Sequence, residues 1–200
     1  MISWLSVLYS MSSQSRFPKV ATMAGSNLNS RLNLSVLVRI AQNEDAERIT
    51  SIINSAFRRA EEFFVEGDRI NVESVLTLLN SGKFLLAESE DTLLGCVYIE
   101  PQAIYGDRSS THLQDGAYLG LLSVDPAHQQ CGLGSVLMDA AEEYCRGLGA
   151  SFMNIKVVNL REALLPYYRK RGYVEIGTSR FPADVETKVS CHFIDMSKPL

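Results

Sequence analysis

Apolar and polar positions along this chain follow two alternating periods. Short runs rich in β-branched and apolar residues recur at "LSVLVRIA" (34–41), "KFLLAESE" (83–90), "TLLGCVYIEP" (92–101) and "AYLGLLSV" (117–124). Three more follow at "FMNIKVV" (152–158), "YVEIG" (173–177) and "SCHFIDMS" (190–197). Their length and composition predict strands. Between them the spacing becomes helical. Ile49, Ile52, Ile53, Ala56 and Phe57 share one face, and "VESVLTLLNSG" (72–82) stops at Gly82. Val136, Leu137, Ala140, Ala141, Tyr144, Cys145 and Leu148 form a third stripe, ended by Gly147 or Gly149. "LLPYYRKRG" (164–172) is a short helix with Pro166 in its first turn, where a missing N–H costs little. Glu90-Asp91 marks a hairpin, and residues 101–116 read as polar loop. "AEEFFVEGDRI" mixes a helix end with a loop through Gly67.

The predicted order is β-α-α-β-β-β-α-β-α-β-β, a mixed α/β single domain over residues 34–200. No internal repeat or linker divides it. Residues 1–33 stand apart, because they are Ser-rich, carry Arg16, Lys19 and Arg31, and contain no acid. Two readings stay open for them, a mitochondrial transit peptide or a disordered extension; Met11 and Met23 offer later starts. A cytoplasmic location is expected, with the mitochondrion as the alternative.

Composition narrows the function. Hydrophobic residues at 46% and charged ones at 21% suit a soluble globular domain. A net charge of -4 leaves no nucleic-acid footprint. No apolar run reaches the ~18 residues that span a membrane. Cys96, Cys131, Cys145 and Cys191 form no C-x-x-C pair, and His112, His128 and His192 share no close spacing. Reduced thiols and no metal site are expected.

The chemistry centres on "SVDPAHQQCGLGSVLMDAAEEYC" (123–145). Gly132 and Gly134 fall where a strand and loop open into a helix, so unpaired N–H groups and the positive dipole end aim at one point. Anions bind there, and glycines remove the Cβ atoms that would hold a phosphate away. A P-loop is excluded because Ser135 follows Gly134 with no lysine between, and a dinucleotide fingerprint because Leu137 stands where a third glycine belongs.

What remains, Gln129-Gln130-Cys131-Gly132-Leu133-Gly134 after a strand ending in "LLSVDP", resembles the acetyl-CoA site of the GNAT superfamily of N-acetyltransferases. "PYYRKRGY", about 35 residues on, is similar to that family's second signature, and the element order agrees over about five-sixths of the chain. The resemblance implies a single mixed sheet with a splayed strand pair forming the coenzyme A cleft. It implies acetyl transfer from acetyl-CoA to a primary amine of a small molecule or peptide by direct attack on the thioester. A non-catalytic acyl-CoA-binding module is the alternative. A homodimer stays open.

By the same resemblance, the amides of Gln129, Gln130, Cys131, Gly132, Leu133, Gly134 and Ser135 hold the pyrophosphate. The edge at Leu122, Ser123 and Val124 pairs with the pantetheine arm, and Asn159 contacts it from a position two residues off the commonest spacing. Tyr168 matches the tyrosine near the thioester sulfur. Tyr118 stands where many members carry the glutamate base, so the base is unassigned; Glu100, a water chain and His112 are the candidates. For the acceptor, Glu61, Glu62, Glu66 and Asp68 flank Phe63 and Phe64 and read either as a cradle for a cationic amine or as a solvated helix face.

Overall fold

The computed structural model describes residues 35–102, 116–183 and 185–200. His112 and the extension 1–33 lie outside the described residues. The strands are β1 Leu37–Ile40, β2 Lys83–Ser89, β3 Thr92–Gln102, β4 Gly116–Val124, β5 Phe152–Val158, β6 Val174–Arg180 and β7 His192–Pro199. The helices are α1 Ala46–Glu61, α2 Val72–Ser81, α3 Leu133–Gly147 and α4 Leu164–Lys170. Their order matches the sequence expectation. β3 and β4 each take residues from the expected loop, reaching Gln102 and starting at Gly116.

One seven-stranded sheet runs β1-β2-β3-β4-β5-β7-β6. Only β4 and β5 pair in parallel; every other pairing is antiparallel. The period of two sorts the strands onto two buried faces. Phe84, Leu86, Cys96 and Tyr98 pack under α1 and α2 against Ile49, Ile53, Val75 and Leu79. Their neighbours Leu85, Ala87, Val97 and Ile99 turn the other way, against Leu137, Met138 and Ala141 of α3 and Tyr168 of α4. Helices therefore cover both faces, which explains why the central runs 84–87 of β2 and 93–99 of β3 carry no polar side chain but the Tyr98 phenol.

Local chemistry sets the joints. Glu90 and Asp91 both have positive φ (47° and 64°), the geometry of a tight hairpin whose twist matches the strands. Asn71 caps α2 by accepting from the Ser74 amide at 2.8 Å. α3 begins at Leu133, and its buried face is shifted relative to the expected stripe. Leu133 and Met138 are buried, whereas Leu148 lies past the last turn and is 44% exposed. Among the described residues no helix is long and apolar enough to cross a membrane.

Candidate active site

β4 and β5 part after Leu119. Their pairing runs from Gly116 opposite Phe152 to Leu119 opposite Ile155 and stops. β4 nevertheless stays hydrogen-bonded to β3 as far as Ser123 and Val124. From Gly120 onward its other edge has no partner strand among the described residues. A bulge produces the divergence. Cys96 faces Ser123 while Tyr98 faces Gly120, so Leu121 and Leu122 together oppose Val97. Leu121 takes the left-handed conformation, φ +51°. An extra residue of this kind bends its strand and increases the twist, here away from β5.

The chain then turns sharply. Asp125 accepts from the Ala127 amide at 3.0 Å and meets His128 Nδ1 at 3.1 Å, which fixes a single helical turn over Pro126–His128. Gln130 (φ 65°) and Gly132 (φ 89°) are both left-handed, and Gly132 caps α3. The Ser135 and Val136 amides turn back to the Gly132 carbonyl at 3.0 and 3.1 Å. Leu133 and Gly134 open the helix, and their amides have no intrahelical acceptor. A Cβ on Gly134 would meet only Val124 Cγ2, at 4.0 Å, so open space fronts this residue.

These features line one cavity of about 550 Å³ between the parted strands. Leu122, Val124, Gln129, Gln130, Gly132, Leu133, Gly134 and Ser135 form part of its wall, together with Tyr168. Gln129 Nε2 donates to the Val124 carbonyl at 3.3 Å and closes the turn. Tyr168 is 9% exposed and packs edge-on against Tyr167 and Tyr173. Burial pushes its phenol up to about 12, so it stays a neutral donor. Tyr167 ties the two helices together, its hydroxyl 3.2 Å from Ser135 Oγ.

Four expected residues are not among those that line this cavity, and two of them, Ser123 and Cys131, were expected to act through the backbone alone. The Ser123 side chain is buried and donates to the Leu121 carbonyl, leaving only its backbone on the free edge. Cys131 Sγ faces the Gln129 carbonyl at 3.6 Å. Asn159 fastens β5 to β7, its Oδ1 accepting from the His192 amide at 2.9 Å while its own amide donates to the His192 carbonyl at 3.0 Å. Glu100 sits on β3 opposite Tyr118, off the wall of the cavity, with burial raising its carboxyl.

The cavity has further walls: Tyr118, at the position compared with the base, Glu61 of the acidic run at the end of α1, and two residues that the sequence did not single out, Arg69 and Arg161. Burial pushes the Tyr118 phenol up, against the field of Arg69. Glu61 is 5% exposed, with Oε2 3.9 Å from Arg69 Nη1 and Oε1 4.0 Å from Arg161 Nη1. Burial raises its carboxyl against the pull of both arginines. The rest of the acidic run is off this cavity and lines a neighbouring hollow under the end of α1. Glu62, Glu66 and Asp68 are exposed, Asp68 pairing with Arg58 and Glu66 with Lys188. A signal for Glu61 existed in the spacing. Ile49, Ile53, Phe57 and Glu61 recur every four residues, so Glu61 continues the buried stripe of α1.

Comparison with known proteins agrees with this geometry. The model of the acetyltransferase (GNAT) family matches residues 46–173. The fold is similar to that of a ribosomal-protein-alanine N-acetyltransferase from Brucella melitensis, at 19% identity over 82% of this chain and 99% of that one, with a TM-score of 0.64. It is also similar to the ribosomal-protein-S18-alanine N-acetyltransferase from Escherichia coli, at 15% identity, 82% and 93% coverage and a TM-score of 0.62. A third similar structure is yncA from Salmonella typhimurium, solved with its cofactor acetyl-CoA, at 19% identity, 82% and 94% coverage and a TM-score of 0.60. At these identities the likeness is one of fold. No curated protein matches the chain. A family match across 46–173, on a sheet that opens between β4 and β5 above a glycine turn, makes this chain a member of the GNAT family of acetyltransferases, whose members use acetyl-CoA.

Proposed function

We propose that this protein moves the acetyl group of acetyl-CoA to a primary amine of a small molecule or peptide, by direct attack on the thioester. The observation that carries the reading is a single cavity joining a strand edge that has no partner among the described residues to an open helix N-terminus, with a buried tyrosine in its wall. The pantetheine arm resembles a short peptide, and the Leu122–Val124 edge offers it a strand to join. The turn from Gln129 to Ser135 suits the pyrophosphate, because the Leu133 and Gly134 amides have no intrahelical acceptor and the dipole of α3 favours negative charge there. Gly134 keeps its front clear for that approach.

The chemical step places charge on two atoms in turn. As the amine attacks, the carbonyl oxygen becomes negative, and a backbone N–H at the bulge near Leu122 stabilises it. When the tetrahedral centre collapses, charge moves to sulfur, which Tyr168 meets as a hydrogen-bond donor. A phenol near 12 facing a thiol near ~8.5 makes full proton transfer uphill by about 5 kcal/mol. Tyr168 therefore stabilises the thiolate without surrendering its proton. The thiolate takes its proton from the attacking nitrogen.

Free-thiol release from acetyl-CoA across a library of amines, with mass spectrometry of the products, tests the reading. Acetylated amine formed together with thiol supports it. Saturable acetyl-CoA binding with no thiol release from any amine would instead favour the binding-module reading.

A further inference from the structure

Two cavities meet at one carboxylate. The cavity described above adjoins a second, of about 560 Å³, under the end of α1, and Phe57, Glu61 and Arg69 line both. Glu61 Oε2 is buried and accepts no hydrogen bond from the described residues. Such an orphan acceptor is costly to keep dry, so a donor arriving from a ligand is strongly favoured. The flanking guanidiniums stand at 3.9 and 4.0 Å, beyond hydrogen-bond range. Among the described residues neither guanidinium donates a hydrogen bond. Arg69 is held in place by its cation–π contacts with Phe57 and Phe181, at 5.2 and 5.8 Å. One carboxylate between two guanidiniums leaves a positive charge unbalanced, beside an acceptor lacking a donor. An anion and an ammonium a few ångströms apart would satisfy both.

We propose that this junction is the acceptor subsite and that it takes a zwitterionic, amino-acid-like acceptor, with Arg69 and Arg161 holding its carboxylate and Glu61 receiving its ammonium. The proposal rests on the acetyl-transfer reading above. Glu61 takes one proton from the ammonium and becomes neutral. The freed amine attacks the thioester; the C–N bond forms, the C–S bond breaks, and the thiolate leaves with the second nitrogen proton. Glu61 then releases its proton to water, so the sum is amino acid plus acetyl-CoA giving N-acetyl amino acid, coenzyme A and one proton. Two physical effects favour Glu61 as the proton acceptor. Its burial already disfavours the charged form. A bound carboxylate also engages the arginines, whose field otherwise holds the Glu61 proton affinity down.

The test uses the full chain, acetyl-CoA and the twenty common L-amino acids, each beside its α-amide and the amine lacking the carboxylate. The expected result is thiol release by at least one free amino acid, with kcat/KM at least ~30-fold above its amide and its decarboxylated amine. R69Q and R161Q should raise KM for that amino acid while leaving acetyl-CoA affinity unchanged, and E61Q should lower kcat. Equal rates for acids and amides would overturn the proposal. So would arginine variants that weaken acetyl-CoA binding, which would assign those charges to the donor. Release from none of these compounds, with acetyl-CoA still raising Tm, would overturn it and leave the donor site standing. No response to acetyl-CoA at all would remove the transferase reading as well.

Discussion

Burial acts on Tyr168 and Glu61 in the same direction, and each becomes useful for a different reason. A raised phenol is a dependable hydrogen-bond donor; a raised carboxyl is a better proton acceptor. Tyr168→Phe should lower kcat by about 10²-fold, the usual scale for losing one donor to developing charge. Acetyl-CoA affinity should hardly change, because the ring remains, and steady-state kinetics beside a titration separates the two. Glu61 carries a stability consequence. Its folded pKa lies above the unfolded carboxylate value of ~4.3, so below both values the two states bind the proton alike. As pH rises through the folded value, ionisation penalises the fold more than the open chain. Glu61→Gln should therefore raise Tm at pH 7 while slowing turnover, with the Tm gain vanishing near pH 4. Tyr168 was readable from sequence because three residues separate it from Gly172-Tyr173. Glu61 lay within an acidic run, and its place four residues after Phe57 on the apolar stripe of α1 was the signal that set it apart from the other carboxylates.

Among the elements, the end of α4 is locked to its neighbours by a buried carboxylate. Glu142 of α3 is 5% exposed and receives Lys198 Nζ at 2.5 Å, the Tyr173 hydroxyl at 3.2 Å and Arg171 Nη2 at 3.4 Å. That lock joins α3 and β7 to the turn after α4 and so sets where the Tyr168 ring lies. Removing one partner from such a cluster leaves buried cations uncompensated. Glu142→Ala should cost about 3 kcal/mol, a fall of roughly 6–12 °C in Tm, measured by thermal and denaturant unfolding. Element order was legible because strand and helix periods differ and glycines punctuate them. The bulge at Leu121 was not. "LGLLS" carries an isolated glycine, Gly120, but the left-handed residue is its neighbour Leu121, which nothing in the sequence marks, and the divergence of β4 from β5 comes from the twist of the assembled sheet. The bond from Asn159 to β7 was hidden for a related reason: its side chain suits bridging two strands as well as meeting a ligand, and its partner His192 lies 33 residues further along the chain.

At the scale of the whole molecule, charge is unevenly spent. The chain is net acidic at -4, yet the Glu61 end of the cavity presents two arginines to one carboxylate. Far from it, Arg39 clamps Asp45 through two 2.7 Å hydrogen bonds and reaches Glu88, joining β1 and β2 to the start of α1. The Arg39 guanidinium holds the Asp45 carboxyl below its usual value. A depressed carboxyl lends stability above its unfolded pKa of ~3.9, and that stability is lost as pH falls through the folded value. Asp45→Asn should thus be less stable at pH 7 and show a flatter acid limb below about pH 4, read by circular dichroism across pH.

The donor site is where fold and function meet, and calorimetric titration of acetyl-CoA into the wild type and Gly134→Leu tests it most directly. The open space before Gly134 allows the variant to fold with an unchanged Tm in the absence of ligand. The wild type should bind one acetyl-CoA saturably, and the variant should show no binding. Equal affinity in a folded variant would contradict the assignment of the glycine turn to the pyrophosphate.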